Sequence, residues 1–93
     1  GGRSIDATVA IGAVSPNPAV TTSQVTVTMT EAAPATVTVV DMNGRTVATL
    51  HEGTLSAGAT ALELNASQLA GGVYTIVVNT GSATAAANVT VSK

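Results

Sequence analysis

The feature that most limits the possible folds is a two-residue alternation of apolar and polar side chains, clearest between Ala35 and Leu50. Val37 and Val39 alternate there with threonines, which is the period of a strand with one buried face. Asn43-Gly44 separates this run from a second apolar run. Asn tolerates a positive φ and Gly adopts it freely, so the dipeptide predicts a β-hairpin.

The strand that follows this turn departs from a strict alternation. Val47 and Leu50 are its large apolar residues and are three positions apart, a spacing that predicts a twist or a bulge. Elsewhere the alternation predicts short strands at Thr8–Val14, Gln24–Thr30, Thr60–Leu64 and Ala83–Val91, and the apolar run Val73–Val78 predicts a further strand. The sequence therefore predicts an all-β fold, an immunoglobulin-like sandwich of about seven antiparallel strands.

One predicted strand and one connection have predicted places in the core. Val73–Val78 is apolar on both faces, which predicts a central strand that is covered on both sides. Leu69 is the only large apolar residue of the connection Asn65–Gly72, and we expect it to close one end of the core.

Composition indicates a thin core and excludes several function classes. The chain has 93 residues, enough for one domain, of which 45% are hydrophobic but only 1% aromatic. Two closely stacked sheets suit such small side chains. Charged residues make up 9%, and three basic residues cannot form a nucleic-acid-binding stripe. No apolar run approaches the roughly 18 residues of a transmembrane segment.

Catalytic and metal-binding patterns are also missing from the sequence. There is no cysteine, and His51 is the only histidine, so we expect no metal site and no cofactor. No segment resembles a nucleophile elbow or a pair of catalytic carboxylates. We therefore predict that the protein has no catalytic residues and is not an enzyme.

Three landmarks occur in a fixed order along the chain. They are Pro16-Asn17-Pro18, then Asp-Met-Asn-Gly-Arg-Thr-Val at 41–47, then Leu-Ala-Gly-Gly-Val-Tyr at 69–74, and a short strand ending in Lys93 follows them. In this order and spacing they resemble the type A C-terminal sorting domain of the type IX (Por) secretion system of Gram-negative bacteria. The resemblance covers Val14 to Lys93. Residues 1–13 are then linker and first-strand residues, with Gly1-Gly2 equally explained as a remnant of cloning, and 14–93 are the sorting domain.

The resemblance implies a location and a set of partners. Domains of that family are seven-stranded sandwiches that direct an N-terminally fused cargo through the periplasm and an outer-membrane translocon. A sortase-like peptidase then removes them, and the cargo is released or attached to the cell surface. The positions that match the family's recognition motifs are Pro16, Asn17, Pro18, Gly44, Arg45, Gly72, Tyr74, Val89, Thr90, Val91, Ser92 and Lys93.

Each matching residue also has a purely structural interpretation. Arg45 is either read by the secretion machinery or bonded to a nearby carboxylate or carbonyl group. Tyr74 is expected in the core with its hydroxyl at the rim, and Gly44 and Gly72 are expected to meet backbone requirements. The segment Val89–Lys93 is either a terminal handle or an ordinary last strand.

The same sequence features are also compatible with other functions. The hairpin and the Gly-x-Tyr pattern are also similar to the immunoglobulin-like domain of the flagellar hook-capping protein. A carbohydrate-binding sandwich or a purely structural accessory domain of a secreted enzyme are the remaining alternatives. Carbohydrate sites usually stack sugars on aromatic rings. The chain has no Phe and no Trp, and Tyr74 is its only tyrosine.

Overall fold

The alternating segments form two antiparallel sheets in a computed structural model, which describes residues 9–12, 14–15, 21–81 and 83–92. The strands of the described residues are β1 (Val9–Ile11), β2 (Thr22–Met29), β3 (Ala33–Val40), β4 (Thr46–Leu55), β5 (Gly58–Asn65), β6 (Gly72–Asn79) and β7 (Thr84–Val91). A short 3-10 helix, Ala66–Gln68, connects β5 to β6. One sheet has the strand order β1-β2-β5 and the other β4-β3-β6-β7.

This arrangement confirms the predicted immunoglobulin-like sandwich. The fourth strand pairs with β3, so it belongs to the sheet of the third, sixth and seventh strands and not to that of β5. The first strand covers Val9–Ile11 of the predicted Thr8–Val14, and β4 continues beyond Leu50 to Leu55.

The inner faces of the two sheets form the core. Along β2 every second side chain is buried, and the threonines between them face solvent. Leu64 on β5 is buried, whereas Glu63 beside it is exposed, as the alternation predicted. Leu69 is partly buried and packs against the core cluster. The largest fully buried side chains are Met29, Leu64, Ile76, Val25, Val27, Val37, Val39, Val78 and Val89.

The predicted irregularity of β4 is confirmed. The register between β3 and β4 shifts twice, and the residues without a partner across the pair are Leu50 and Val47. Each extra residue bends the strand locally and increases its twist. These are the same two residues whose spacing of three departed from a strict alternation.

The hairpin itself is confirmed, and of the two residues Asn43 and Gly44 only Gly44 has a positive φ. Gly44 has φ 82°, whereas none of the described non-glycine residues has a positive φ. The Gly44 N–H donates to the Asp41 carbonyl (3.0 Å), and the Asp41 N–H donates to the Arg45 carbonyl (2.9 Å). The chain therefore reverses through Met42 and Asn43, and Gly44 alone supplies the left-handed conformation.

The strand β6 is central, as predicted, but it is not covered on both sides. It lies between β3 and β7, with Tyr74, Ile76 and Val78 buried on the inner face. On the outer face Val73 is 45% exposed and Val77 is half-buried. Among the described residues no third layer covers this side, and Val77 is shielded by its lateral neighbours in the sheet.

A candidate recognition site at one end of the four-stranded sheet

The two landmark segments described by the structure lie at the same end of the four-stranded sheet. In an antiparallel sheet of order β4-β3-β6-β7, the end of β3 lies beside the starts of β4 and β6 and the end of β7. Gly72 pairs with Val91, and Val73 pairs with Thr90. We call this region, formed by residues 41–46, 71–75 and 88–92, the hairpin end.

The turn at the hairpin end is held by one carboxylate. Asp41 Oδ1 accepts hydrogen bonds from the Asn43 N–H (2.9 Å) and the Arg45 N–H (3.0 Å). An Asp side chain that bonds to the backbone a few residues ahead is a common way to stabilise such turns. This carboxylate therefore has a structural role in shaping the turn.

Arg45 is exposed at the base of the same turn. Within the described part of the chain its guanidinium makes no ion pair and no hydrogen bond. No residue there therefore supports the alternative in which Arg45 is bonded to a carboxylate or carbonyl group. Arg45 is the only Lys or Arg among the described residues, because Arg3 and Lys93 lie outside them. The hairpin end thus presents a cation to solvent.

Two exposed apolar side chains flank a shallow pocket beside this cation. Met42 is 80% exposed at the tip of the turn, and Val73 is 45% exposed at the start of β6. The pocket has a volume of about 220 Å³, and its other lining residues are Asp41, Asn43, Gly71, Gly72 and Tyr74. Exposed large apolar groups next to one another are a common feature of surfaces that bind other proteins.

Both glycines of the matching positions are explained by backbone conformation. Gly44 has φ 82° and Gly72 has φ 153°, values that L-residues rarely adopt. A Cβ atom built on either glycine would have no atom within 4 Å, so close approach of another group is not the reason for them. Each glycine shapes the chain without itself offering a binding group.

Tyr74 is a core residue with its hydroxyl at the rim, as expected. It is 7% exposed, and its hydroxyl donates to the Ala70 carbonyl at 2.6 Å. A tyrosine near the start of the sixth strand that bonds back to the preceding connection is the tyrosine corner of immunoglobulin-like domains. The residue therefore ties the connection before β6 to the sheet.

The end of β7 is an ordinary strand as far as Val91. Val89 and Val91 are buried and pair with Tyr74 and Gly72, whereas Thr90 and Ser92 are exposed. Of the other matching positions, Lys93 and Pro16-Asn17-Pro18 lie outside the described residues.

Sequence reasoning missed three contributors to the hairpin end. Met42 was not predicted to be part of the site, although an apolar residue inside an Asp-x-Asn-Gly turn is a detectable signal. Val73 was expected to be covered. The Asp41 carboxylate was also missed, although Asp at the start of a turn is a known backbone acceptor.

Comparison with known families agrees with the pattern of landmarks. A family model described as the secretion system C-terminal sorting domain matches residues 13–92 of the 93-residue chain. The chain belongs to this family. A comparison with curated proteins found no match.

Membership of the sorting-domain family has direct implications for function. The family supports a C-terminal sorting signal of the type IX secretion system, and its domains are in general non-catalytic. A sorting domain implies fusion to an N-terminal cargo, and it implies secretion to the cell surface or the extracellular space. In the described ranges no helix is both long and apolar enough to cross a bilayer. The same ranges contain no group of three or more His, Asp or Glu side chains suited to hold a metal ion.

Proposed function

We propose that this sorting domain carries an N-terminally fused cargo from the periplasm through the outer-membrane translocon of the type IX system. A sortase-like peptidase then removes the domain, and the cargo is released or attached to the cell surface. The observation that supports this proposal is the convergence of two separate landmarks and the end of β7 on the hairpin end. Such a contiguous surface suits recognition by one partner.

We further propose a division of roles among the matching residues. The translocon contacts the exposed groups of the hairpin end, which are Arg45, Met42, Val73, Thr90 and Ser92. The buried residues Tyr74, Val89 and Val91 hold these groups in place through the core. Gly44 and Gly72 let the backbone adopt the conformations that the turn and the start of β6 require.

The test is export of a reporter fused to the N-terminus of this chain in a host that has the system. Deleting residues 89–93 is a poor test, because Val89 and Val91 are core residues and their loss would unfold the domain. Exposed residues on the same strands give a cleaner comparison. Arg45→Glu and Thr90→Glu change the hairpin end, and Thr54→Glu and Thr84→Glu are matched controls at the opposite end of β4 and β7.

We expect the two variants at the hairpin end to lower export by about tenfold, which corresponds to losing about 1.4 kcal/mol of binding. The two controls should be exported like the unchanged chain. Circular dichroism and thermal unfolding of each purified domain establish that all four variants are folded. Equal export of all four would show that the hairpin end is not the recognised surface.

A different outcome would contradict the sorting function itself. If the reporter with the unchanged, folded domain stays in the periplasm, the domain does not direct export. A purely structural accessory role would then be the better explanation.

A further inference from the structure

The open side of the sandwich between β4 and β5 contains a pocket that shares no residue with the hairpin end. The two strands are joined by Ser56-Ala57, yet each is an edge strand of a different sheet. The pocket has a volume of about 330 Å³ and lies between residues 47–50 of β4 and residues 63–65 of β5. Ligand pockets have volumes of roughly 300–1,000 Å³, so one of this size suits one or two side chains.

The two bulges of β4 form one wall of this pocket. Val47 and Leu50, the residues without a partner on β3, both line it. Bulges are frequent at sheet edges and beside functional sites, where they redirect a side chain. The irregularity of β4 therefore shapes a pocket as well as bending the strand.

The floor of the pocket is apolar, and its rim carries one charge. Leu64 is buried, and Leu50 and Leu69 are partly buried and pack against the core cluster. Glu63 and Gln68 are exposed at the rim. Within the described ranges the Glu63 carboxylate makes no ion pair and no hydrogen bond. An apolar floor with a few polar groups that fix orientation is typical of binding sites.

The free edge of β5 adds backbone groups to the same place. The strand β5 pairs with β2 on one side, and no strand among the described residues pairs with its other side. Such an edge presents unpaired N–H and C=O groups, to which an extended peptide can bond. The side chains of a peptide bound in this way point alternately to the core side and to the outer face.

We propose that the β5 edge binds an extended segment of a partner protein in which one basic residue lies between two large apolar residues. The segment continues the three-stranded sheet beyond β5. Its apolar side chains lie opposite Leu62 and Leu64 on the core side, and the second of them fills the pocket. Its Lys or Arg lies opposite Glu63 on the outer face. This inference does not depend on the proposed sorting function.

Charge favours a basic partner over a second copy of this chain. Opposite charges directly across from each other stabilise a pair of strands, and like charges destabilise it. The strand β5 contains Glu63 and no basic residue. A second copy pairing through the same strand would therefore give the carboxylate no opposite charge, whereas a Lys or Arg of the partner would.

Binding of short peptides to the folded chain tests the proposal. The basic probe is a peptide with blocked ends and the sequence Ser-Thr-Leu-Lys-Leu-Thr-Ser. Glu replaces Lys in the acidic probe, and Ser replaces both Leu residues in the polar probe. We expect the basic probe to bind with a Kd between about 10 µM and about 1 mM, and the other two to bind about tenfold more weakly. In NMR titrations of the isotope-labelled chain, the largest shifts should occur at residues 47–50 and 62–65.

Exchanging the charge at Glu63 separates recognition from stability. Glu63 is exposed, so Glu63→Lys leaves the core unchanged. This variant should prefer the acidic probe to the basic probe by about tenfold, which reverses the preference of the unchanged chain. The matched control Glu52→Lys alters an exposed position of β4 outside the pocket, and it should keep the original preference.

Failure of the basic probe to bind at about 1 mM would overturn the proposal. Equal affinities of the unchanged chain for the basic and acidic probes would overturn it too. The same holds for shifts centred on another surface, or for a reversal of preference by Glu52→Lys as large as that by Glu63→Lys.

Discussion

Removing the hydroxyl of Tyr74 tests whether this residue acts through the fold. The hydroxyl donates to the Ala70 carbonyl at 2.6 Å, and the side chain is 7% exposed. Tyr74→Phe keeps the ring and its packing, so it creates no cavity. The substitution deletes one hydrogen bond and leaves a partly buried carbonyl without its donor.

The expected loss follows from these features. A typical hydrogen bond contributes about 0.5–1.5 kcal/mol, and this bond is short and partly buried, so we expect a loss at the upper end of that range, about 1.5 kcal/mol. For a domain of this length each kcal/mol lowers Tm by about 4–8 °C, which predicts a decrease of about 6–12 °C. Thr75→Val, on the same strand as Tyr74, is the matched control. It removes an exposed hydrogen bond of 3.2 Å to Asn88 on β7. Its effect should stay within about 0.5 kcal/mol.

Urea unfolding followed by far-UV circular dichroism is the suitable assay, because Tyr74 is the only Tyr and the chain has no Trp or Phe. The transition midpoint should fall while the slope with denaturant stays constant, since the same surface is exposed on unfolding. A loss for Tyr74→Phe below about 0.5 kcal/mol, or no larger than that of Thr75→Val, would refute the reasoning.

The same assay tests two further residues. Gly44→Ala should lower the free energy of unfolding by about 1–2 kcal/mol, because φ is 82° and the space around Gly44 is open, so backbone strain is the only cost. Gly44→Asn should lose less, and equal losses would contradict the strain argument. His51 lies opposite Val37 on β3 and has a buried Nε2 with no hydrogen-bond partner within the described ranges. His51→Leu should raise the free energy of unfolding by about 1 kcal/mol, because it removes an unsatisfied buried polar atom. A decrease would show that the imidazole has a stabilising role.

Much of the fold was predictable because it depends on local patterns. The alternation along β2 and β3 identifies the buried face of each strand without knowledge of its partners. The spacing of Val47 and Leu50 identified the bulged strand for the same reason. The landmark residues were also visible in the sequence, because they occur in short segments.

The rest of the candidate site depends on long-range packing. The alternation in Val73–Val78 is absent, and only the two-layer arrangement shows that Val73 lies on an uncovered face. The partner of the Tyr74 hydroxyl and the exposure of Met42 are likewise properties of the folded chain. A sequence pattern cannot specify them, because it does not state which distant segments come into contact.

The sequence by itself determined that this chain is built from short amphipathic strands joined by tight turns, because the side-chain period of a strand is a local property. The tertiary structure alone decided that β6 lies between β3 and β7, and that the turn at 41–45, the start of β6 and the end of β7 meet at one end of a sheet. Strand order is set by contacts between residues far apart in the chain. For that reason the candidate recognition surface became apparent only once the sheets were assembled.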